Sequence, residues 1–454
     1  MKIPDKLIKK YNVPAPRYTS YPTVPYWEEE SMSSSKWLSV VKRTFNETND
    51  EQGISLYIHL PYCESLCTYC ACNTRITKNH SIEASYIDAV LSEWQIYLET
   101  FGRKPLIREI HLGGGTPTFF SSKNLHHLIS GILNTSHLHK NYCFSFEGHP
   151  NNTTKAHLQA LYDLGFRRVS YGVQDLDFKV QQTINRVQPF ANVLRATEEA
   201  REIGYTSINF DLIYGLPFQT VKGVKRTIDK VAELKPERIA FYSYAHVPWK
   251  KPGQRAYTEK DLPDNNEKRA LYETGKKSLL CNGYIDIGMD HFALEGDELF
   301  NAYHHKTMHR NFMGYTTAQT DLLIGLGTSA ISDAKYAYAQ NEKGVEAYKE
   351  AVLSNELKLI RGHYLSNEDL VIRQFILNIA CRGEARWHDY PHLLDFDTNI
   401  ALLDMAYEGL IELFGDGLRV TAVGMTFLRN ICMVFDKKLV QKTQNDQPQF
   451  SKAI

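Results

Sequence analysis

From Ile54 to about residue 290 the chain alternates short runs of β-forming residues with stretches in which apolar residues recur every three or four positions. Ile54 to Leu60 reads as a first strand, and Ile87, Val90, Leu91, Trp94 and Leu98 then fall at helical spacing. Leu106 to Leu112 returns to strand composition and runs into Gly113, Gly114 and Gly115. Ser122 is the expected N-cap of a helix carrying Leu125, Leu128, Ile129, Ile132 and Leu133. Next come a strand at Cys143 to Glu147, a helix from Thr153 to Leu164 stopped by Gly165, a strand at Arg168 to Val173 and a helical stretch ending at Ile203. Strands at Ser207 to Tyr214 and Arg238 to Tyr244 flank a helix bearing Val221, Val224, Ile228 and Val231. Strands separated by helices run parallel with right-handed crossovers, which leaves an open doubly wound sheet or a barrel. Either fold gathers its site at the C-terminal ends of the strands.

Past residue 364 the pattern changes. Ser366 and Asp369 give a capping-box signal ahead of an apolar-periodic helix, and Asp416-Gly417 marks a tight hairpin between Ile411–Phe414 and Leu418–Thr421. A last helix is expected over Gly424 to Phe435. Helix, hairpin and helix are compatible with a winged-helix-like module. The charge balance, Lys+Arg 52 against Asp+Glu 52, provides no field to draw nucleic acid or an anionic membrane, so a lid or docking role is expected there instead of DNA binding. No window approaches the ~20 apolar residues of a membrane span. The stretch Met1 to Arg17 mixes Lys, Asp and Pro, and the expectation is a cytoplasmic protein.

Half of the eight cysteines, Cys63, Cys67, Cys70 and Cys72, fall within ten residues, whereas Cys143, Cys281, Cys381 and Cys432 stand singly. In a reducing compartment such a cluster indicates metal binding or redox chemistry. Cys63-x3-Cys67-x2-Cys70 follows the first strand, where three thiolates can each hold one iron of a 4Fe-4S cube and leave the fourth iron open. The alternatives are a tetrahedral zinc site of all four cysteines and a thioredoxin-like redox pair.

Cys63-x3-Cys67-x-Tyr69-Cys70 resembles the signature of the radical S-adenosylmethionine (SAM) superfamily. Further stretches are similar to the oxygen-independent coproporphyrinogen III oxidase family: Pro16-Arg17-Tyr18-Thr19-Ser20-Tyr21-Pro22-Thr23, Tyr57-Ile58-His59-Leu60-Pro61, Gly113-Gly114-Gly115-Thr116-Pro117-Thr118 and Gly172-Val173-Gln174-Asp175. Downstream, Asp211 to Pro217, Tyr244-Ala245-His246, His309-Arg310-Asn311-Phe312 and Arg429-Asn430-Ile431-Cys432 continue the resemblance in order. It implies an α/β fold, a partial (β/α)6 TIM-like barrel of the radical SAM type with a mostly helical C-terminal domain. It also implies a division into 1–54, an N-terminal extension closing over the active site; 55–290, the partial barrel; 291–364, a connecting segment contributing to the site; and 365–454, the helical domain.

The implied reaction is oxidative decarboxylation of two propionates of coproporphyrinogen III to vinyl groups, giving protoporphyrinogen IX in haem biosynthesis. SAM cleavage to a 5′-deoxyadenosyl radical drives it, and a separate electron donor feeds a monomer. The implied cofactors are one 4Fe-4S cluster on Cys63, Cys67 and Cys70 and two SAM molecules. Tyr57, Tyr69, Cys72, Gly114, Gly115, Thr116, Glu147, Gln174, Arg186, Asp211, Ala245 and Ile331 are the implied SAM contacts, and Tyr57, His59, Glu147 and Arg186 the catalytic set. Tyr57 and His59 are expected on opposite faces of their strand, and Arg17 and Arg310 are expected to face substrate carboxylates, by charge complementarity. The sequence departs from the family at Gly148-His149, where an acidic residue often precedes the proline, and at Met313, where glutamine is familiar. A haem chaperone of the same fold, without decarboxylase activity, is the alternative; Cys72 and the Pro16 to Thr23 stretch speak against it.

Overall fold

The protein is represented by a computed structural model that describes residues 3–27, 32–442 and 450; the ends of the first and last expected segments therefore lie outside the described residues. Six strands each lead into a helix: β1 (Ile54–Leu60) and α1 (Glu83–Phe101), β2 (Leu106–Gly114) and α2 (Ser122–Leu133), β3 (His137–Gly148) and α3 (Lys155–Asp163). β4 (Phe166–Gln174) and α4 (Phe190–Ile203), β5 (Ser207–Tyr214) and α5 (Val221–Glu233), β6 (Arg238–Ser243) and α6 (Asn265–Cys281) complete the series. Consecutive strands pair in parallel from β1 to β6, as the crossover rule requires, so this is the expected partial (β/α)6 barrel. The sheet does not close. β7 (Tyr284–Gly288) and β8 (His291–Leu294) extend it beyond β6, and β9 (Leu323–Leu326) pairs in parallel with the other side of β1. β10 (Ile331–Asp333), β11 (Ala337–Asn341) and β12 (Leu359–Tyr364) continue outward from β9 in an antiparallel run.

Most of the helix positions that the periodicity marked are buried: Leu125, Leu128, Ile129 and Ile132 on α2, and Val224, Ile228 and Val231 on α5. Leu133, at the end of α2, is half-buried, and Val221, the first residue of α5, is exposed because it lies in the first turn, ahead of the packed face that runs from Val224 onward. The cap of α2 is Ser121, one residue before the expected Ser122, with its hydroxyl accepting from the Asn124 amide. Past β12, α7 (Asn367–Arg382) begins in the expected capping box at Ser366. β13 (Glu384–Arg386), β14 (Ile411–Phe414) and β15 (Gly417–Val420) then form a three-stranded sheet in the order β13-β15-β14, with α8 (Phe396–Tyr407) between β13 and β14 in the chain. The hairpin turns at Gly415-Asp416, so Gly417 opens the returning strand opposite Phe414. The N-terminal Leu7, Tyr11, Tyr18 and Tyr21 share one core with Ile372, Phe375, Ile379, Phe427 and Ile431 of this region. Among the described residues, no helix is long and apolar enough to cross a membrane.

Candidate active site

A cavity of about 1010 Å³ opens at the C-terminal ends of β1 to β6. Its cysteine loop leaves β1 through Tyr62–Cys63, which pairs in parallel with Arg75–Ile76 and so closes residues 64–74 into a compact loop. That loop is pinned to the chain after β4: the Thr68 amide donates to Ile184 O at 3.0 Å, the Thr68 hydroxyl to Thr183 O at 3.2 Å and Asn185 Nδ2 to Leu66 O at 2.8 Å. Cys63, Cys67, Cys70 and Cys72 all line the cavity as free thiols. Cys63 Sγ lies 3.3 Å from the Thr116 hydroxyl, and Arg186 Nη1 donates to Cys67 Sγ at 3.6 Å. A hydrogen bond from Cys72 holds the Cys70 thiol down to about 6, while burial pushes Cys63 up to about 11. Thiols on a pinned loop, each with a donor or a neighbouring thiol, suit the separate corners of a cube.

The glycine turn after β2 is dictated mainly by packing. A Cβ on Gly114, whose φ is +112°, would lie 2.7 Å from the His59 ring. The Gly114 amide donates to Glu147 Oε2 at 3.3 Å, and Gly114, Gly115 and Thr116 form one wall of the cavity. Gly172 is also constrained: its Cβ would fall 2.5 Å from Gln174 Nε2 and 2.9 Å from Arg186 Nη2. Its carbonyl instead accepts from Arg186 Nη2 at 2.6 Å, and Arg186 Nε is buried without a partner. A bulge between β4 and β5 at this point puts Gln174 at φ +66° on the cavity wall.

Glu147 ends β3 with Oε1 3.4 Å from His111 Nε2; His111 Nδ1 is 2.8 Å from the Ser145 hydroxyl. Burial would raise the Glu147 carboxyl, but His111 and the Gly114 amide outweigh it and hold it below the ordinary carboxylate range. Asp211, on β5, is pushed up to about 6 by burial and by the charge of Glu147, against donors from Asn209 and Ser170. His149 lies near Arg186; its Nδ1 accepts from the Asn151 amide, and burial depresses it far below the imidazole range, so the ring is neutral with its proton on Nε2.

The cavity thus brings together Cys63, Cys67, Tyr69, Cys70, Cys72, Gly114, Gly115, Thr116, Glu147, Gln174, Arg186 and Asp211. Four expected residues stand outside its wall. Tyr57 and His59 lie beneath the glycine turn, and they share a face: side chains two apart on a strand point the same way, and Tyr57 Oη is 3.2 Å from His59 Nδ1. That corrects the expectation of opposite faces. His59 Nε2 donates to Asn73 O at 2.9 Å, tying strand to loop. Ala245 follows β6, and the buried Gln254 donates to both its carbonyl and that of Tyr69, each at 3.2 Å. Ile331 is half-buried on β10.

Arg310 also departs from its expected place, being 5% exposed with Nε and Nη2 both donating to Arg17 O. Of the departures, His149 lines this cavity. Met313 lines a smaller one of about 120 Å³ that shares Glu147, Ser170, Asp211 and Tyr242 with it and continues into the barrel. His111, Ser170 and Tyr242 were not singled out by motif. Polar residues alternating along the strands, Glu109-x-His111, Ser145-x-Glu147, Arg168-x-Ser170 and Asn209-x-Asp211, carry the signal of a polar lumen.

Residues 57–231 match the Radical SAM superfamily. Oxygen-independent coproporphyrinogen III oxidases from Escherichia coli K12 and Pseudomonas aeruginosa are each 37% identical, the first over 99% of this chain and 98% of its own length, the second over 95% of both. The solved structure of coproporphyrinogen III oxidase from Escherichia coli, described as a radical SAM enzyme, superposes with a TM-score of 0.89 at 34% identity, covering 97% of this chain and all of that one. Identity above a third along essentially the whole length, on a fold whose cysteine loop, glycine turn and strand-end carboxylates meet in one cavity, places this chain in the oxygen-independent coproporphyrinogen III oxidase family of radical SAM proteins.

Proposed function

We propose that the chain converts two propionate side chains of coproporphyrinogen III to vinyl groups, giving protoporphyrinogen IX without oxygen. The observation that carries this reading is the convergence of the pinned cysteine loop with Gly114–Thr116, Glu147, Arg186 and Asp211 on one cavity, in a chain of this family. When bound, a 4Fe-4S cluster and SAM supply one-electron cleavage to a 5′-deoxyadenosyl radical. Each conversion removes a hydrogen atom from the propionate β-carbon, releases carbon dioxide and passes one electron to an acceptor, leaving the vinyl group.

In this reading Cys63, Cys67 and Cys70 hold the cluster. Tyr69, Cys72, Gly114, Gly115, Thr116, Glu147, Gln174, Arg186 and Asp211 face two SAM molecules, while Tyr57, Ala245 and Ile331 border them. An ionised Glu147 suits an ammonium group, and the planar fork of Arg186 suits a carboxylate. His59, neutral through burial, holds Tyr57 and the Asn73 carbonyl and so fixes the loop. The same reading has residues 1–54 close over the mouth and the chain act as a cytoplasmic monomer on a separate electron donor.

The test is an anaerobic assay of reconstituted protein with coproporphyrinogen III, SAM and a reductant, read by porphyrin mass. Loss of two carboxyl groups with 5′-deoxyadenosine formed is the expected result; stoichiometric haem binding with no decarboxylation would favour the chaperone alternative.

A further inference from the structure

Arg429 and Arg310 are both more than nine-tenths buried, a costly position for a guanidinium unless its geometry is put to use. Both act on the backbone of one short segment. Arg429 Nε donates to Pro16 O at 3.0 Å and its Nη2 to Ala15 O, and Arg310 donates to Arg17 O at 3.3 and 3.0 Å. The Tyr18 hydroxyl, donating to Asp436 at 3.1 Å, fixes the next residue. What this presents is the Arg17 side chain, half-buried and lying over the Tyr242 ring at 5.2 Å, with a single hydrogen bond to Ser243 O at 3.3 Å. Arg17 forms no ion pair among the described residues, although the protein has as many acidic as basic residues. Burial raises the carboxyl of the half-buried Asp290, and the charges of Arg17, Arg429 and Arg310 work against that rise. Tyr242 is a wall of both cavities, on the last of the six strands and so at the far side of the strand run from the cysteine loop.

We propose that Arg17 binds a propionate carboxylate of the substrate remote from the reacting carbon, with Arg310 and Arg429 as the positioning residues that hold it at the cavity margin. This rests on the functional reading above, which makes the substrate a tetracarboxylate. A guanidinium stacked on an aromatic ring keeps its fork free for a bidentate carboxylate, and a fixed backbone reduces the ordering cost of binding.

The experiment is fluorescence titration of the anaerobically reconstituted protein with coproporphyrin III and with its tetramethyl ester, for wild type, Arg17→Gln and Arg17→Lys. Wild type should prefer the acid; Arg17→Gln should weaken acid binding about ten- to a hundredfold while leaving the ester unchanged, and Arg17→Lys should recover part of the loss. In turnover, Arg17→Gln should raise KM for coproporphyrinogen III with kcat nearly constant. If wild type shows no preference for the acid, the functional reading fails and the proposal with it. If wild type prefers the acid but Arg17→Gln keeps that preference, or weakens acid and ester alike, Arg17 is structural and only the proposal is overturned.

Discussion

Cys72 stands two residues beyond Cys70, open to the cavity, and hydrogen-bonds to the Cys70 thiol. A fourth thiolate ligand would occupy the iron that SAM needs, so Cys72→Ser should keep the 4Fe-4S absorbance and SAM binding while impairing conversion of coproporphyrinogen. A variant that lost its cluster spectrum would make Cys72 a ligand instead. Glu93 shows the opposite use of a buried acid. It accepts from Gly327 N at 2.7 Å, Tyr348 Oη at 2.6 Å and Asn341 Nδ2 at 2.6 Å, joining α1 to the loop after β9, the end of β11 and the helix that follows it. Burial raises its carboxyl to about 7 despite these donors. Because the folded state binds this proton more tightly than the unfolded chain, its stabilising contribution is complete below about pH 4.5 and is lost as pH rises through 7. Melting curves of wild type and Glu93→Gln should therefore diverge in favour of the variant between pH 5 and 7 and run parallel above. A pH-independent difference would place the shift elsewhere.

Among the elements, the end of β4 shows how backbone sets the site. With no side chain on Gly172, Arg186 and Gln174 pack over it. Gly172→Ala should displace them with little loss of melting temperature, about 1 kcal/mol or less, yet weaken SAM binding by tenfold or more in equilibrium titration. Gly424 is the structural counterpart, since a Cβ there would run into the Leu410 carbonyl. Gly424→Ala should lower the melting temperature markedly with activity per folded molecule intact. On α8, Phe396, Ile400, Leu403 and Tyr407 form an exposed stripe at helical spacing, with Tyr407 94% exposed and Asp397 and Asp404 alongside. This helix, between β13 and β14, carries no Lys or Arg.

At the scale of the molecule, the N-terminal segment and the C-terminal region stabilise each other. Leu7, Tyr11, Tyr18 and Tyr21 fill a core whose other side is α7 and the helices that follow, so deleting residues 1–23 removes several burials worth about 1.5–3 kcal/mol each. The truncated protein should melt lower and bind a hydrophobic dye; unchanged melting would show that the segment only covers the site. The consecutive order of the strands came only with the barrel that the family resemblance implied, whereas the strand-helix alternation, the parallel direction of β1 to β6, the placement of cysteines and glycines at strand ends and the capping box at Ser366 were all legible in the residue pattern. They depend on local periodicity and on the handedness of short connections, which act within some forty residues. That Tyr57 and His59 share a face was legible too, since residues two apart on a strand point the same way. The pinning of the cysteine loop by residues 183–186, the burial of Arg310 on the Arg17 carbonyl and the union of β9 with β1 were decided only by the tertiary structure. Each of these three is a contact between segments far apart in the chain, and such a contact is not carried by the spacing of residues along a sequence.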